Sequence, residues 1–486
     1  MDISQIDLWV IGLYFVALIG VGIYAGSKVH SAEDYAVAGR QLGLPVLAGT
    51  MIGSAVGASA TFGKAGKAYD VGYVVMFSSL AYMLGYVAFS FLAPKLRQAK
   101  LDTLPSVLQA RYGAGMRVIA AVVMLLSMIA VFGTQLIAFG VTASTLLASL
   151  DVSFEQAVLV GAAIIVVYTL VGGLLAVAYT DLLQVIIMLV ACGVLLPWFI
   201  WSDASATMTF SQLVREPPGA ESSGMSWLYI LSFIPTFMAF VLIDPSLWQR
   251  AAGAKEQRDL PVALWITALF FGLWSLIAIT LGVVAYNLIP DLQVPDSAIP
   301  TLVLDYMPPL VKGLCLAAIM AIMMSTADSV LLVAGTTFAQ DIVKTLKPDL
   351  SSAAELKIAR GFILVISVLG IVFAYSKSGI FEAMMLAFAL YVSGLFVPVM
   401  AALLWSRANF LAACLSSVAG VAGVLVIAVG QSLGWFEKDT PPILVGLALS
   451  TLVMWLVGRF SGGEGQALLS SATTIEPSFN AEQVHR

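Results

Sequence analysis

Long apolar runs, separated by short charged or Pro/Gly-rich breaks, dominate this chain. Reading the breaks predicts spans at about 8–27, 45–69, 73–93, 116–148, 156–175, 180–201, 226–249, 261–288, 310–343, 358–375, 380–405, 409–432 and 441–459. A bilayer crossing needs about 20 apolar residues. The pattern therefore predicts an all-α polytopic membrane protein of about 13 transmembrane helices. The connections near 149–155 and 289–309 are acidic and Pro-rich, and residues 461–486 read as a polar, Ser-rich, disordered cytoplasmic tail. The whole of 1–460 reads as one transmembrane domain.

Composition sharpens this picture. Of 486 residues, 60% are hydrophobic and only 10% charged, against about 25% charged in a soluble domain. The apolar excess is too large for a water-soluble core. No basic stripe with interleaved aromatics is present, so nucleic-acid binding has no support. Cys192, Cys315 and Cys414 lie far apart inside apolar runs and read as buried hydrophobes. The opening MDISQIDLWV has no Lys or Arg ahead of its apolar run, so it reads as the first mature span rather than a cleavable signal.

Orientation follows from the basic residues. With the N-terminus outside, the cytoplasmic segments collect Lys28 and Arg40, the group from Lys95 to Arg117, then Arg250, Lys255 and Arg258. The group from Lys344 to Arg360, with Arg407, Arg459 and Arg486, also falls there. Lys64, Lys67, Arg215, Lys312, Lys377 and Lys438 fall elsewhere. An odd number of spans then puts the C-terminus in the cytoplasm of a bacterial inner membrane.

Polar groups inside spans are the informative ones, because each must be satisfied or serve a function. The second span, TMIGSAVGASATFGKAGKA (50–68), alternates glycines at 53, 57, 63 and 66 with Ala and Ser. It can pack closely on neighbours, or unwind midway and expose carbonyls. In the ninth span, AIMAIMMSTADSVLLVAGTT (318–337), Ser325, Asp328 and Ser329 share one helix face with Thr326 beside them. An acid flanked by hydroxyls suits a hard cation such as Na⁺; a hydroxyl-rich helix contact with a paired or neutral Asp is the alternative. Asp181 opens the sixth span after Thr180, where a carboxylate also complements the helix dipole. Pro235 and Asp244-Pro245 interrupt the seventh span, so Pro245 either opens a second half-helix or marks the cytoplasmic end.

GGLLAVAYTDLLQ (172–184), DPSLWQR (244–250), MSTADS (324–329) and FVPVMAALLW (396–405) together resemble the sodium/solute symporter family. That family includes bacterial proline, pantothenate, sialic acid and sugar symporters. The resemblance implies a leucine-transporter-type fold with two inverted five-helix repeats, here about 45–201 and 226–405. The first helix of each repeat would be broken at the midplane, where substrate and ions bind. It further implies a first sodium site at Gly53, Val56, Ile322, Ser325 and Thr326, and a possible second at Asp181, Ser325, Asp328 and Ser329. Asp328 departs from members that carry hydroxyls throughout.

The substrate pocket would involve Ala55, Gly57, Ser59, Ala60, Phe240 and Asp244. Sugar-transporting relatives carry Asn, Glu and Gln on the first core helix where this chain has Ala55, Ser59 and Ala60, so a polyol would lose its hydrogen-bond partners. Lys64 is expected either to snorkel with Lys67 at the outer interface or to face the outer vestibule and attract an anion such as a carboxylate.

The resulting expectation is Na⁺-coupled symport of a small organic solute, a carboxylate or amino-acid-like compound, by a monomer in a lipid bilayer, with Na⁺ as coupling ion and no organic cofactor. Proton coupling through Asp181, Asp328 or Asp244 is the runner-up. A transport-like sensor would want a soluble signalling domain, and only a short tail follows the last span. A membrane enzyme has little to work with: His30 and His485 lie outside the spans, and HExxH and P-loop motifs are absent from the sequence.

Overall fold

A computed structural model of the chain describes residues 3–27, 32–98, 103–146, 151–171, 173–217, 225–376, 379–437, 440–461 and 468. Apart from residues 461 and 468, the tail lies outside the described residues. Among the described residues, eleven helical stretches are long and apolar enough to cross a membrane, and two shorter apolar helices accompany them. We label the helices α1 (Gln5–Gly26), α2 (Leu44–Ala55), α3 (Lys64–Val71), α4 (Met76–Gln98) and α5 (Ala114–Leu146). Next come α6 (Phe154–Val171), α7 (Leu174–Ala204), α8 (Trp227–Phe233, continued to Ala239–Ile243) and α9 (Pro245–Gly253). The last six are α10 (Asp259–Leu288), α11 (Val311–Thr337), α12 (Ser352–Ser376), α13 (Ile380–Leu404), α14 (Phe410–Ser432) and α15 (Pro442–Phe460).

Two pairs of these helices are halves of one crossing. The α2 helix ends at Ala55, Val56 leaves helical geometry (φ −94°, ψ 73°), and a wide turn over Ser59–Gly63 leads into α3. Likewise α8 ends at Asp244, whose ψ of 113° is extended, and α9 restarts at Pro245. The chain then doubles back between α3 and α4 through Gly72–Val75, where Gly72 has φ 74°. Lys64 Nζ lies 2.7 Å from Ser79 Oγ, whereas fifteen residues of straight helix would span about 22 Å. Counting each broken pair once gives thirteen columns, as the apolar pattern predicts. The two broken crossings, α2/α3 and α8/α9, head the two five-helix repeats.

Proline chemistry explains the second break. Pro245 has no N–H to lose at the first position of α9, and Asp244 Oδ1 accepts from Ser246 N at 2.8 Å as its cap. The carbonyls freed at the end of α8 are used: Ile243 O accepts from Tyr391 Oη at 2.7 Å, and Leu242 O accepts from Trp248 Nε1 at 3.0 Å. In lipid such groups must find protein partners. At the first break, Gln135 Oε1 on α5 accepts from Ala58 N at 3.0 Å.

The α11 helix runs through the centre; 94% of its most apolar window is buried, so its polar residues face protein and not lipid. Leu42 pairs with the end of α9, accepting from Lys255 N at 2.8 Å and donating to Gly253 O at 3.1 Å. The start of one broken crossing is thereby pinned to the end of the other. At the same end of α9, Arg40 and Arg97 donate to the carbonyls of Ala252 and Ala254, placing positive charge where a helix C-terminus favours it.

Candidate functional site

The break in α2 lies against α11 and α7. Two glycines permit the approach. A Cβ at Gly57 would come within 2.5 Å of Thr326 Oγ1, and one at Gly53 within 2.9 Å of Asp181 Cβ. The contact places oxygens together. Ser325 Oγ donates to Gly53 O at 3.0 Å and Ile322 O at 3.2 Å. Thr326 Oγ1 lies 3.3 Å from Ser54 O and 3.5 Å from Gly53 O. Val56 is buried at the break. Thus Gly53, Ile322, Ser325 and Thr326 of the expected first sodium site meet through their oxygens, with Ser54 added. The donor set is carbonyl and hydroxyl oxygen, the chemistry of a hard cation. Hydroxyl protons that now point at carbonyls would turn away when the same oxygens bind Na⁺.

Beside this set lies a cluster of charges. Asp181 Oδ2 accepts from Thr50 Oγ1 at 2.6 Å and from Arg250 Nη2 at 3.3 Å. Arg250 Nη2 also donates to Ser329 Oγ at 2.7 Å, and Ser329 Oγ lies 3.4 Å from both Asp328 Oδ1 and Ser54 Oγ. Asp181, Asp328 and Arg250 are all fully buried. The structure therefore brings together Asp181, Asp328 and Ser329, with Ser325 one turn away, as expected of a second cation site. Among the described residues, Asp181 Oδ1 and Asp328 Oδ2 have no hydrogen-bond partner. With Arg250 balancing one acid, ionisation of both leaves an excess negative charge, which fits one further cation.

Arg250 is the functional residue that the sequence reading misplaced. It was counted among the loop charges that orient the chain. Instead it is the largest fully buried side chain described. Its Nε donates to Thr50 O at 3.1 Å and to Thr50 Oγ1 at 2.9 Å, and its Nη1 to Ser246 O at 3.1 Å. The available signal was the half-helix opened by Pro245, because α9 turns inward and carries Arg250 with it.

Lys64 also departs from expectation. It is fully buried, not exposed in a vestibule and not snorkelling. Its ammonium donates to Ser79 Oγ at 2.7 Å and Ser275 Oγ at 3.1 Å, beneath the ring of Phe271 at 4.4 Å. Packing of α3 between α4 and α10 supplies those partners. Lys67 is paired with Glu382 at 2.9 Å.

The expected pocket residues divide. Ala55 and Ser59 are half-buried at the break, Ala60 is buried, and Gly57 is pressed on Thr326. Half-buried Phe240 stacks on Phe388 with centroids 3.6 Å apart. Asp244 caps α9 with one carboxylate oxygen, so its first use is structural. The sequence reading did not anticipate the aromatic group around Phe240. Tyr82 of α4 stacks on Phe237 at 5.0 Å and meets Phe240 and Phe388 edge-on.

A broken crossing set against a hydroxyl-bearing central helix, with a second broken crossing later in the chain, is the arrangement of a secondary transporter of the leucine-transporter type. The match to solved structures agrees: a Na⁺-coupled sialic acid symporter in a substrate-bound outward-open state superposes with TM-score 0.75 over 96% of this chain and 100% of its own, at 17% identity. The chain belongs to the sodium:solute symporter family, whose model matches residues 35–420. Members of this family are transporters, not enzymes. The chain is 24% identical over 469 residues to the sodium/pantothenate symporter of Haemophilus influenzae, covering 93% of this chain and 95% of that one. It is 27% identical over 472 residues to the osmoregulated proline transporter of Bacillus subtilis, covering 93% and 94%.

Proposed function

We propose that this protein couples Na⁺ entry to uptake of a small carboxylate or amino-acid-like solute across a bacterial inner membrane. It acts as a monomer, with the N-terminus outside and the C-terminus in the cytoplasm. The transport unit spans 1–460, with core repeats at about 45–201 and 226–405. Residues Gly53, Val56, Ile322, Ser325 and Thr326 hold the first Na⁺, and Asp181, Ser325, Asp328 and Ser329 surround a second. The observation that carries this reading is the convergence of Ser325 and Thr326 on the carbonyls of Gly53 and Ser54. The solute occupies the space beside Ala55, Ser59, Ala60 and Phe240. Proline and pantothenate transport in the relatives support a carboxylate-bearing solute.

The test is uptake into proteoliposomes driven by an inward Na⁺ gradient. Uptake should stop when choline replaces Na⁺. Thr326→Ala should raise the Na⁺ concentration for half-maximal uptake by about tenfold, the equivalent of about 1.4 kcal/mol. Full uptake in choline, driven by a pH gradient, would instead favour proton coupling. The orphan oxygens of Asp181 and Asp328 are what keep that second reading in play.

The end of the bundle assigned to the outside is closed by side chains that titrate. Asp296, in the turn Pro295–Ser297, accepts from Ile380 N at 2.9 Å at the start of α13, and Gly66 of α3 packs directly on it. Burial pushes its carboxyl up to about 7; the Ile380 bond opposes this, Glu382 and Asp70 add to it, and Lys67 opposes it. Opening this end would hydrate Asp296 and return it toward an ordinary value near about 3.9. Protonation thus favours the closed end. That preference is complete below about 3.9 and is lost as pH rises through about 7. Uptake should therefore accelerate as external pH rises from about 6 to about 8, and Asp296→Asn should flatten that dependence. An unchanged pH profile in the variant would remove Asp296 from gating.

A further inference from the structure

Lys64 is a fully buried amine with no acidic partner among the described residues. Buried Arg250 faces Asp181 and the half-buried Arg117 faces Asp341, yet among the described residues no carboxylate pairs with Lys64. It is held by two neutral hydroxyls, Ser79 and Ser275, and by the faces of Phe271 and Tyr82, whose centroids lie 4.4 and 5.5 Å from Nζ. Ring faces attract a desolvated cation, but far more weakly than hydration of an ammonium does.

The surroundings suggest what completes it. The Tyr82 ring that covers Nζ is the same ring that stacks on Phe237 and meets Phe240 and Phe388. A continuous aromatic wall therefore runs from Lys64 to the half-buried Phe240, one turn before the break at Asp244. The hydroxyls of Tyr82 and Tyr86 make no hydrogen bond among the described residues, while that of Tyr391, on the same wall, is used by Ile243 O. One end of this wall offers the Lys64 amine, the remainder offers ring faces, and the hydroxyls of Tyr82 and Tyr86 lie on the side of Asp244.

We infer that Lys64 is the substrate's counter-ion, and that the substrate is a small monocarboxylate with an apolar body. The inference rests on the proposed symport and narrows its solute. The carboxylate takes the place of Ser79 and Ser275 on the ammonium, exchanging neutral hydrogen bonds for charge-assisted ones roughly twice as strong. Its hydrocarbon part lies against Tyr82, Phe237, Phe240 and Phe388. This replaces the remote steering role expected of Lys64 with direct contact.

The test uses the purified full-length transporter and follows its unfolding temperature in NaCl and in choline chloride. The probes are butyrate, benzoate and phenylacetate, each compared with its own primary amide. At least one acid should raise the unfolding temperature in Na⁺ while its amide does not. Lys64→Met should abolish that rise and keep the rise given by Na⁺ alone, and Lys64→Arg should retain it with affinity weakened about tenfold. Three results overturn the inference: no acid in the panel stabilises the protein, the amide matches its acid, or Lys64→Met responds as the wild type does. If Lys64→Met cannot be purified, the acid-against-amide comparison on the wild type decides. A wild type that ignores Na⁺ but distinguishes acid from amide would sink the Na⁺ reading and leave this one standing.

Discussion

Replacing Arg250 by methionine should abolish Na⁺-driven uptake and destabilise the protein by about 3–5 kcal/mol, the cost of stripping one partner from a buried ion pair. The guanidinium is fully buried and joins four elements: Thr50 on α2, Asp181 on α7, Ser246 on α9 and Ser329 on α11. Methionine fills the volume but strands the Asp181 carboxylate and the Thr50 carbonyl in a dry interior. Adding Asp181→Asn should restore roughly half of the lost stability, since the uncompensated charge is gone. Lysine at 250 should fall between, because a point charge cannot reproduce the forked contacts to Asp181, Ser329 and Thr50. Denaturation of the purified single and double variants measures all three. If Arg250→Met and its double with Asp181→Asn are equally unstable, Asp181 is not the group that Arg250 compensates.

The thirteen crossings were legible because lipid leaves a spanning helix no choice. Its backbone must be bonded internally and its surface must be apolar, so composition alone marks each column. The glycines of the second span left close packing and a break both open in the sequence, and the structure uses them for both, since a side chain at Gly53 or Gly57 would strike Asp181 or Thr326 beside the break at Val56. The face of Ser325, Asp328 and Ser329 follows from helical spacing, and the structure keeps it on one side of α11. In each case the signal is local, within one or two turns.

Arg250 and Lys64 show where local reading stops. A basic residue near the end of an apolar run ordinarily snorkels toward water, and nothing adjacent in sequence says otherwise. The partners that hold Arg250 lie 69, 79 and 200 residues away, and Ser275 lies 211 residues from Lys64. Only tertiary packing brings them together. The aromatic wall was invisible for the same reason, being assembled from α4, α8, α10 and α13 with no shared motif. Asp244 shows a third limit. Its placement before Pro245 made two roles compatible with the sequence, and the bond to Ser246 N shows that capping claims one of its oxygens.

Asp181→Asn and Asp328→Asn should each weaken Na⁺ activation of uptake by about tenfold and make the activation curve less steep, and the double variant should weaken it little further. The reason is charge balance. Among the described residues, Asp181 contacts the Arg250 guanidinium directly and Asp328 lies beside it through Ser329, and each acid retains an oxygen without a hydrogen-bond partner. Both acids cannot stay ionised in a dry site unless another cation joins them. Neutralising either one leaves a balanced pair with Arg250 and removes the reason for a second Na⁺ to bind. Neutralising both cannot remove it again, so the effects on Na⁺ affinity should fall well short of the roughly hundredfold that independence predicts. Stability should behave differently, because Arg250 loses its second carboxylate only in the double variant; that variant should be less stable than either single one. The two readouts must therefore diverge if the acids serve one cation. Multiplicative losses of Na⁺ affinity would assign Asp181 and Asp328 to separate sites. Unchanged Na⁺ activation in both single variants, together with a flattened pH dependence of uptake, would show that the shared cation is a proton.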